Sequence, residues 1–144
     1  MEQIAFEQLA AWEQNLVQQA QSATQTAYAP YSHFQVGAAV LLQDGTIIRG
    51  SNQENKAYGS CVCAERVALL YATANYAQNP PIAIAIAAQT NGSFTEQPVT
   101  PCGECRQVLA EMQERFATPI RVLMYGSSTC LVAPNIQALL PTAF

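Results

Sequence analysis

The stretch 34-FQVGAAVLLQDGTIIRG-50 predicts two β-strands joined by a tight turn. Residues 34–43 and 46–50 are mostly apolar, and Asp44-Gly45 between them is a strong signal for a hairpin turn. The first run is apolar on both of its faces, which is typical of a strand that is covered on both sides. We therefore expect this strand to lie inside a sheet rather than at its edge.

Three segments around the hairpin have the periodicity of amphipathic helices. Their apolar positions are Leu9, Trp12, Leu16 and Ala20; Val67, Leu70, Tyr71 and Ala74; and Cys105, Val108, Leu109, Met112 and Phe116. The first helix is expected to end near Thr26. The second should begin at Cys63 and stop before the prolines of 79-NPP-81, and the third should follow Pro101.

Short apolar runs separate these helices and predict the remaining strands. They are 82-IAIAIAA-88, 120-IRVLMY-125 and a shorter run near 130-CLVA-133. Strands that alternate with helices predict an α/β protein whose sheet is covered by helices on both faces.

Composition and charge limit the classes of function. A chain of 144 residues, half of them hydrophobic, is the size of one domain, residues 1–144. No apolar run reaches the roughly 18 residues that a membrane span needs, and no signal-peptide pattern opens the chain, so we expect a soluble, cytoplasmic protein. A net charge of -4 and a single lysine disfavour binding to a polynucleotide.

Cysteines are grouped at the starts of the second and third predicted helices. Cys102 and Cys105 have the spacing of zinc ligands, and Cys61 and Cys63 form a second group, which favours a metal over a redox pair. All four thiols would make a closed structural site. Three thiols would leave one position for water, and Glu65 would be suitably placed as a general acid and base. The residues alone leave both readings open.

Several motifs, taken in order, resemble one enzyme family. C-A-E-R at 63–66 and P-C-G-E-C-R-Q at 101–107 are similar to the small three-cysteine cytidine deaminases, a branch of the zinc nucleoside deaminases. The runs 27–39, 52–55 and 139–144 match the same family. The resemblance implies a three-layer α/β/α fold with a mixed five-stranded sheet.

The resemblance also implies the catalytic centre. Cys63, Cys102 and Cys105 would hold one Zn²⁺ per subunit, and Arg66 would hydrogen-bond to the ligand sulfurs. A zinc-bound hydroxide would attack the amine-bearing carbon of cytosine, with Glu65 as the proton shuttle, so that ammonia leaves and uridine forms. Cys61 and Cys130 would then be spare thiols.

Substrate contacts and assembly are implied by the same resemblance. Asn52 and Glu54 would bind the ribose hydroxyl of a nucleoside, and Phe34 would lie near the base. Tyr58 would pack near the site or reach a neighbouring subunit. Phe144 would stack on cytosine in the site of a neighbouring subunit, so the resemblance implies a homotetramer with shared sites.

The chain departs from the family at 52-NQENK-56, where Gln53 and Lys56 replace an apolar and a small residue. Lys56 would either crowd the sugar, attract a 5′-phosphate or point away from it. Besides cytidine and deoxycytidine in pyrimidine salvage, a modified cytidine, CMP or a blasticidin-like nucleoside therefore stays open as the substrate. A non-catalytic module stabilised by zinc is the alternative from another class.

Overall fold

The computed structural model describes residues Met1–Phe144, which build one sheet and three α-helices. The strands are β1 (Glu2–Ile4), β2 (Gln35–Leu42), β3 (Ile47–Ser51), β4 (Pro81–Thr90), β5 (Ser93–Phe94), β6 (Arg121–Tyr125) and β7 (Cys130–Ala133). The α-helices are α1 (Ala11–Ala23), α2 (Ala64–Asn75) and α3 (Gly103–Phe116). Short 3-10 helices lie at Phe6–Gln8, Thr24–Thr26, Tyr58–Ser60 and Ile136–Ala138.

The sheet is mixed and has the order β1-β7-β6-β4-β2-β3, with β5 paired to β4. Only β4 and β6 run parallel, and every other pair is antiparallel. The α/β class and the mixed sheet are confirmed, but the expected five strands are wrong because there are seven. The two extra strands, β1 and β5, have three and two residues. Segments of two or three residues are too short to show an alternation of apolar and polar side chains, so the sequence did not predict them.

The hairpin prediction is confirmed. Strands β2 and β3 pair antiparallel, and Gly45 in the connecting turn has a φ of 94°, in the left-handed region that favours glycine. Strand β2 also pairs with β4 along its length, so it lies inside the sheet as predicted.

Helices cover both faces of the sheet, which confirms the three layers. Strand β4 contacts a different helix layer on each of its faces. Ala83, Ala85 and Ala87 pack with residues of α1. Ile84 and Ile86 pack with residues of α2 and α3. Alternate residues of a strand point to opposite faces, so small side chains face one helix layer and large ones the other.

Gly50 sets how closely α2 approaches the sheet. A Cβ on Gly50 would lie 2.6 Å from the Ala64 carbonyl oxygen and 2.6 Å from the Ala68 amide nitrogen. No larger side chain fits there without moving the helix. The first turn of α2 is thereby fixed against β3, and this turn carries the residues of the site described below.

The buried face of α2 differs from the prediction. Leu70 and Tyr71 are 51% and 54% exposed, whereas the buried positions of this helix are Ala64, Glu65, Ala68, Leu69 and Ala72. The close approach required by Gly50 favours the alanine face, so the face with bulkier residues is turned outward.

Helix α1 departs from the prediction at two positions, because Leu9 lies before its start at Ala11 and Trp12 is not buried. Trp12 is exposed, whereas Leu9, Leu16 and Ala20 are buried as predicted. On α3, Cys105, Leu109 and Met112 are buried, and Val108 and Phe116 pack against the same cluster, which confirms its inner face. No helix of the chain combines the length and the hydrophobicity needed to cross a membrane.

Candidate active site

The N-termini of α2 and α3 bring three cysteines together. Cys63 is the residue before α2, Cys102 is the residue before α3, and Cys105 lies in the first turn of α3. The Cys102 sulfur is 3.6 Å from the Cys63 sulfur and 3.6 Å from the Cys105 sulfur. Neither helix has a side-chain cap, so free backbone N–H groups and the positive ends of two helix dipoles point toward the thiols and favour thiolates.

The cluster fits a zinc ion. Cys63, Cys102 and Cys105 have ligand atoms that all lie within 4.8 Å of one another. A tetrahedral site with Zn–S bonds of about 2.3 Å separates its sulfurs by about 3.8 Å, close to the sulfur spacing found here. Three soft thiols at this spacing are a zinc donor set that leaves a fourth position for a non-protein ligand.

The two other cysteines lie outside this cluster. The Cys61 sulfur accepts a hydrogen bond from the Asn55 N–H at 3.3 Å and lies 3.6 Å from the Asn55 carbonyl oxygen. Cys130 is fully buried in β7. The sulfur of Cys61 is therefore engaged by the backbone of its own loop. The geometry favours a metal site with three cysteine ligands over a closed site with four.

The thiols of Cys63 and Cys105 have pKa values that shift in opposite directions. The neighbouring Cys105 thiol, together with Arg66 and Cys102, lowers the pKa of Cys63 to about 5. The neighbouring Cys63 sulfur, followed by burial, raises the pKa of Cys105. Of these two thiols, Cys63 is therefore the more acidic.

Glu65 is buried beside this cluster. Only 4% of it is exposed, and the structure has two ion pairs, neither of which includes it. Burial raises the pKa of its carboxyl to about 7. A carboxyl group with such a pKa exchanges protons readily near neutral pH, as a general acid and base must.

Arg66 contacts both the cluster and the first turn of α3. Its Nη2 atom is 3.9 Å from the Cys63 sulfur and 2.9 Å from a carboxylate oxygen of Glu104. The expected contact between Arg66 and a cluster sulfur is thus present at Cys63. The ion pair with Glu104 has no counterpart in the sequence interpretation.

A cavity of about 440 Å³ opens in front of the cysteines, a volume in the range of sites for small molecules. Its lining includes eight residues that the sequence selected for the centre and the substrate: Phe34, Asn52, Glu54, Tyr58, Cys63, Glu65, Arg66 and Cys102. The structure thus brings residues from four separate segments to one cavity.

The Asn52 side chain is hydrogen-bonded to the backbone at the start of β2. Its Oδ1 atom accepts a hydrogen bond from the Val36 N–H at 2.8 Å, and its Nδ2 atom donates one to the Phe34 carbonyl at 2.9 Å. The amide extends the pairing of β2 beyond its end. Asn52 therefore shapes the wall that carries Phe34, in addition to lining the cavity.

Glu54 is held by a loop but keeps one oxygen free. Its Oε1 atom accepts hydrogen bonds from the backbone N–H groups of Tyr31 and Ser32, at 3.0 and 3.1 Å. Hydrogen bonding by Ser32 keeps the pKa of the Glu54 carboxyl below its ordinary value. An ionised carboxylate with one oxygen anchored has a second oxygen available for a ligand hydroxyl.

Phe144 does not reach the cavity of its own chain. Its ring is fully exposed, while its backbone exchanges two hydrogen bonds with the Gln107 side chain, at 3.1 and 3.3 Å. The ring therefore projects from a fixed backbone. A separate cavity of about 500 Å³ adjoins this C-terminal segment, but it contains none of the clustered thiols.

The two residues that depart from the family pattern, Gln53 and Lys56, are placed differently relative to the cavity. Lys56 is exposed and is not part of the lining. Gln53 contributes to the lining, but its side-chain amide donates to the Thr26 carbonyl at 3.3 Å and to the Ser51 hydroxyl at 3.1 Å. Of the three outcomes considered for Lys56, the geometry therefore agrees with a side chain directed away from the site.

Sequence reasoning missed Glu104 and Ser32 as parts of the site. Glu104 stands between the two cysteines of 102-CGEC-105, and its sequence position was the available signal. Ser32 donates its backbone N–H to Glu54 across 22 residues, and such a contact has no local sequence signature.

Comparisons with known proteins agree with this site. Residues 10–118 match the family described as the cytidine and deoxycytidylate deaminase zinc-binding region. The cytidine deaminase of Halalkalibacterium halodurans is 50% identical over 131 residues, which cover 91% of this chain and 92% of that protein.

Solved structures of similar proteins share the fold. The cytidine deaminase of Burkholderia pseudomallei matches with a TM-score of 0.76 and 39% identity, over 94% of this chain and all of that chain. The cytidine deaminase of Mycobacterium tuberculosis matches with a TM-score of 0.71 and 33% identity, over 94% of this chain and 98% of that chain. The matched segment contains all three clustered cysteines and Glu65, and the chain belongs to the cytidine and deoxycytidylate deaminase family.

Proposed function

We propose that this chain is a zinc-dependent hydrolase that converts cytidine and deoxycytidine, with water, to uridine or deoxyuridine and ammonia. The observation that carries the proposal is a cluster of three thiols beside a buried glutamate in a cavity of nucleoside size. Relatives named cytidine deaminase, one of them 50% identical over most of the chain, support this reaction.

Four residues would perform the central chemistry. Cys63, Cys102 and Cys105 would hold one zinc ion, which supplies Lewis-acid activation of water when it is bound. The Glu65 carboxylate would accept one proton from the attacking water and pass it to the ring nitrogen next to the amine-bearing carbon. It would then take the second proton from the hydroxyl formed on that carbon and deliver it to the departing amine, so that ammonia leaves and the carbonyl of the product forms. The burial of Glu65 supports this role, because a carboxyl group with a raised pKa accepts and returns a proton at little cost near pH 7.

The rest of the cavity would orient the nucleoside. The free oxygen of Glu54 would accept a hydrogen bond from a ribose hydroxyl. Asn52 would bind the ribose through the hydrogen-bonding capacity of its side-chain amide that the backbone leaves free. Phe34 and Tyr58 would border the base with aromatic surface. Excluding water around the base would favour proton transfer through Glu65 over proton loss to solvent.

The alternatives are less well supported. CMP would need a cation near the 5′ end of the nucleoside, and Lys56, the residue considered for that task, is exposed and outside the cavity lining. A non-catalytic module needs no buried glutamate in a cavity beside the metal ligands. Modified cytidines and blasticidin-like nucleosides differ from cytidine in their substituents, so a substrate panel separates them.

The test is turnover of a substrate panel with and without a zinc chelator. We expect cytidine and deoxycytidine to release ammonia and lose absorbance, with both signals abolished by the chelator and restored by added zinc. Cys130→Ala should behave as the parent does, whereas Cys105→Ala should lose both zinc and turnover. If zinc binds fully and no cytidine derivative releases ammonia, the deaminase proposal fails.

We also propose a homotetramer in which Phe144 completes the site of a neighbouring copy. The ring is exposed, its backbone is fixed by Gln107, and it is not part of its own chain's cavity lining. An aromatic ring presented in this way can stack on the base of a nucleoside bound to another subunit.

Mixed assemblies test the shared site. Phe144→Ala keeps Glu65 but lacks the donated ring, and Glu65→Gln keeps the ring but lacks the proton shuttle. Co-assembled subunits should recover activity that neither variant has alone, and native mass measurement should give four copies. A fully active monomer, or mixing without recovery in confirmed mixed tetramers, would remove the role of Phe144.

In the cell, we propose a cytoplasmic enzyme of pyrimidine salvage that works as a single domain, residues 1–144. Free thiols in the cluster support a reducing compartment. Strands from both ends of the chain, β1 and β7, pair in the same sheet, which supports one folding unit. Localisation of the tagged chain, and growth of a cytidine-dependent strain that expresses it, test these two assignments.

A further inference from the structure

We propose that Glu104 is a positioning residue that holds the guanidinium of Arg66 against the sulfur of Cys63. The inference rests on the zinc site of the proposed function, and it adds a residue to which neither the family resemblance nor the relatives assign a task. Glu104 would not touch the substrate, and it would act on the metal ligands through Arg66.

One nitrogen of Arg66 makes both contacts. Its Nη2 atom is 2.9 Å from a Glu104 carboxylate oxygen and 3.9 Å from the Cys63 sulfur. Moving this nitrogen toward or away from the carboxylate therefore changes its distance from the sulfur as well. The Glu104 carboxylate fixes one end of a chain of contacts that ends at a metal ligand.

The contact chain joins the two helices that form the site. Glu104 belongs to the first turn of α3, between Cys102 and Cys105, whereas Arg66 and Cys63 belong to the start of α2. The ion pair thus links the ligands of one helix to the ligand of the other. Glu104 is also well placed on its own helix, because a carboxylate is favourable in a first turn.

Arg66 has few alternative positions. Its side chain is 20% exposed, and its Nε atom is buried without a hydrogen-bond partner. The Glu104 side chain, in contrast, is 75% exposed, so water screens the pair and its contribution to folding is small. We therefore expect loss of Glu104 to change the metal site much more than it changes stability.

The experiment follows zinc transfer from the zinc-loaded protein to a chromogenic chelator, with no substrate present. In Glu104→Ala the transfer should be about tenfold faster, the lower end of the effect of removing an outer contact of a metal site. Glu104→Gln should transfer zinc at nearly the parent rate, because a side-chain amide oxygen can still accept the Arg66 N–H. Glu111→Ala, an exposed glutamate without an ion pair on the same helix, is the matched control and should match the parent.

A second background shows whether Glu104 acts through Arg66. In Arg66→Gln, zinc transfer should already be fast, and adding Glu104→Ala should change it little. The cobalt-loaded protein gives a separate readout, because the thiolate charge-transfer band should shift in Glu104→Ala and stay unchanged in Glu104→Gln and Glu111→Ala.

Three results would each contradict the positioning role of Glu104. Equal transfer rates in the parent and Glu104→Ala, equal rates in the Ala and Gln variants, or an undiminished effect of Glu104→Ala in the Arg66→Gln background each overturn the positioning role. Ammonia release is assayed separately, so the two proposals can fail independently. A protein that shows the Glu104 effect without deaminating any nucleoside keeps this inference and loses the proposed reaction.

Discussion

Two glutamates of this chain have the same burial and nearly the same position on a helix, yet different surroundings. Glu13 is the third residue of α1 and Glu65 is the second residue of α2, with 6% and 4% of each exposed. Glu13 accepts a hydrogen bond from the Ala10 N–H at 3.0 Å and one from Arg121 Nε at 2.6 Å. Glu65 has no ion pair and lines the cavity beside the thiols.

We infer that the difference separates a buried charge with a structural role from one that is available for chemistry. Each oxygen of Glu13 has a partner, so its carboxylate ties α1 to β6 and has no capacity left for a reaction. Glu65 is buried without a cation bound to it, and burial raises the pKa of its carboxyl to about 7. Burial of a carboxylate alone therefore does not indicate catalysis. Burial without an ion pair, in a cavity beside thiols, makes Glu65 the candidate general acid and base.

The largest effect should come from Glu65→Gln. Removal of the proton shuttle should lower kcat by about 10²–10⁴-fold while the zinc content stays at one per chain. The free energy of unfolding should not fall, because Gln removes a buried carboxyl that has no ion pair. Steady-state turnover of cytidine, metal analysis and urea unfolding measure the three quantities.

Glu13→Gln is the matched control for that experiment. It makes the same chemical change at equal burial but outside the cavity, so its kcat should equal that of the parent. A Glu65→Gln variant with near-normal kcat would remove the distinction between the two residues.

The sequence pointed to Glu65 as a candidate more readily than it pointed to the ion pair of Glu13. Glu65 stands two residues after Cys63 within the motif 63-CAER-66, so its role could be proposed from local spacing. The partner of Glu13 is Arg121, which is 108 residues away. No local sequence pattern predicts an ion pair at that separation, because only the folded sheet brings β6 next to the start of α1.

The same reason explains which features of the fold were predicted and which were not. The hairpin around Asp44-Gly45 and the inner face of α3 depend on neighbouring residues, and both were predicted. The buried face of α2 depends on the close approach at Gly50, and the use of the Asn52 amide depends on where β2 ends. Both features depend on contacts between elements that are distant in the sequence. The periodicity of apolar residues within one segment does not predict such contacts.

A smaller effect should follow from Arg121→Met, which removes the cation and leaves the Glu13 carboxylate buried. Breaking a buried pair at one end costs about 3–5 kcal/mol. Because the Arg121 side chain is 35% exposed, water can reach the pair, and we expect a loss of about 2 kcal/mol in the free energy of unfolding. Urea unfolding measures this loss.

Turnover is the control for Arg121→Met. Neither Arg121 nor Glu13 lines the cavity, so kcat and KM for cytidine should stay at the parent values under conditions in which the variant is folded. A loss of turnover in the folded variant would contradict the purely structural reading of this pair.

The smallest effect should come from Glu13→Gln. A neutral amide at this position keeps an oxygen that can accept one of the two hydrogen bonds, so the free energy of unfolding should fall by only about 1 kcal/mol. The double variant Glu13→Gln, Arg121→Met is the sharper measurement. If the cost of Arg121→Met arises from a carboxylate left buried without a cation, removing that charge should recover part of the loss, and the double variant should be more stable than Arg121→Met alone. If the two losses simply add, Glu13 and Arg121 contribute independently, and the contrast with Glu65 would then depend on the cavity alone.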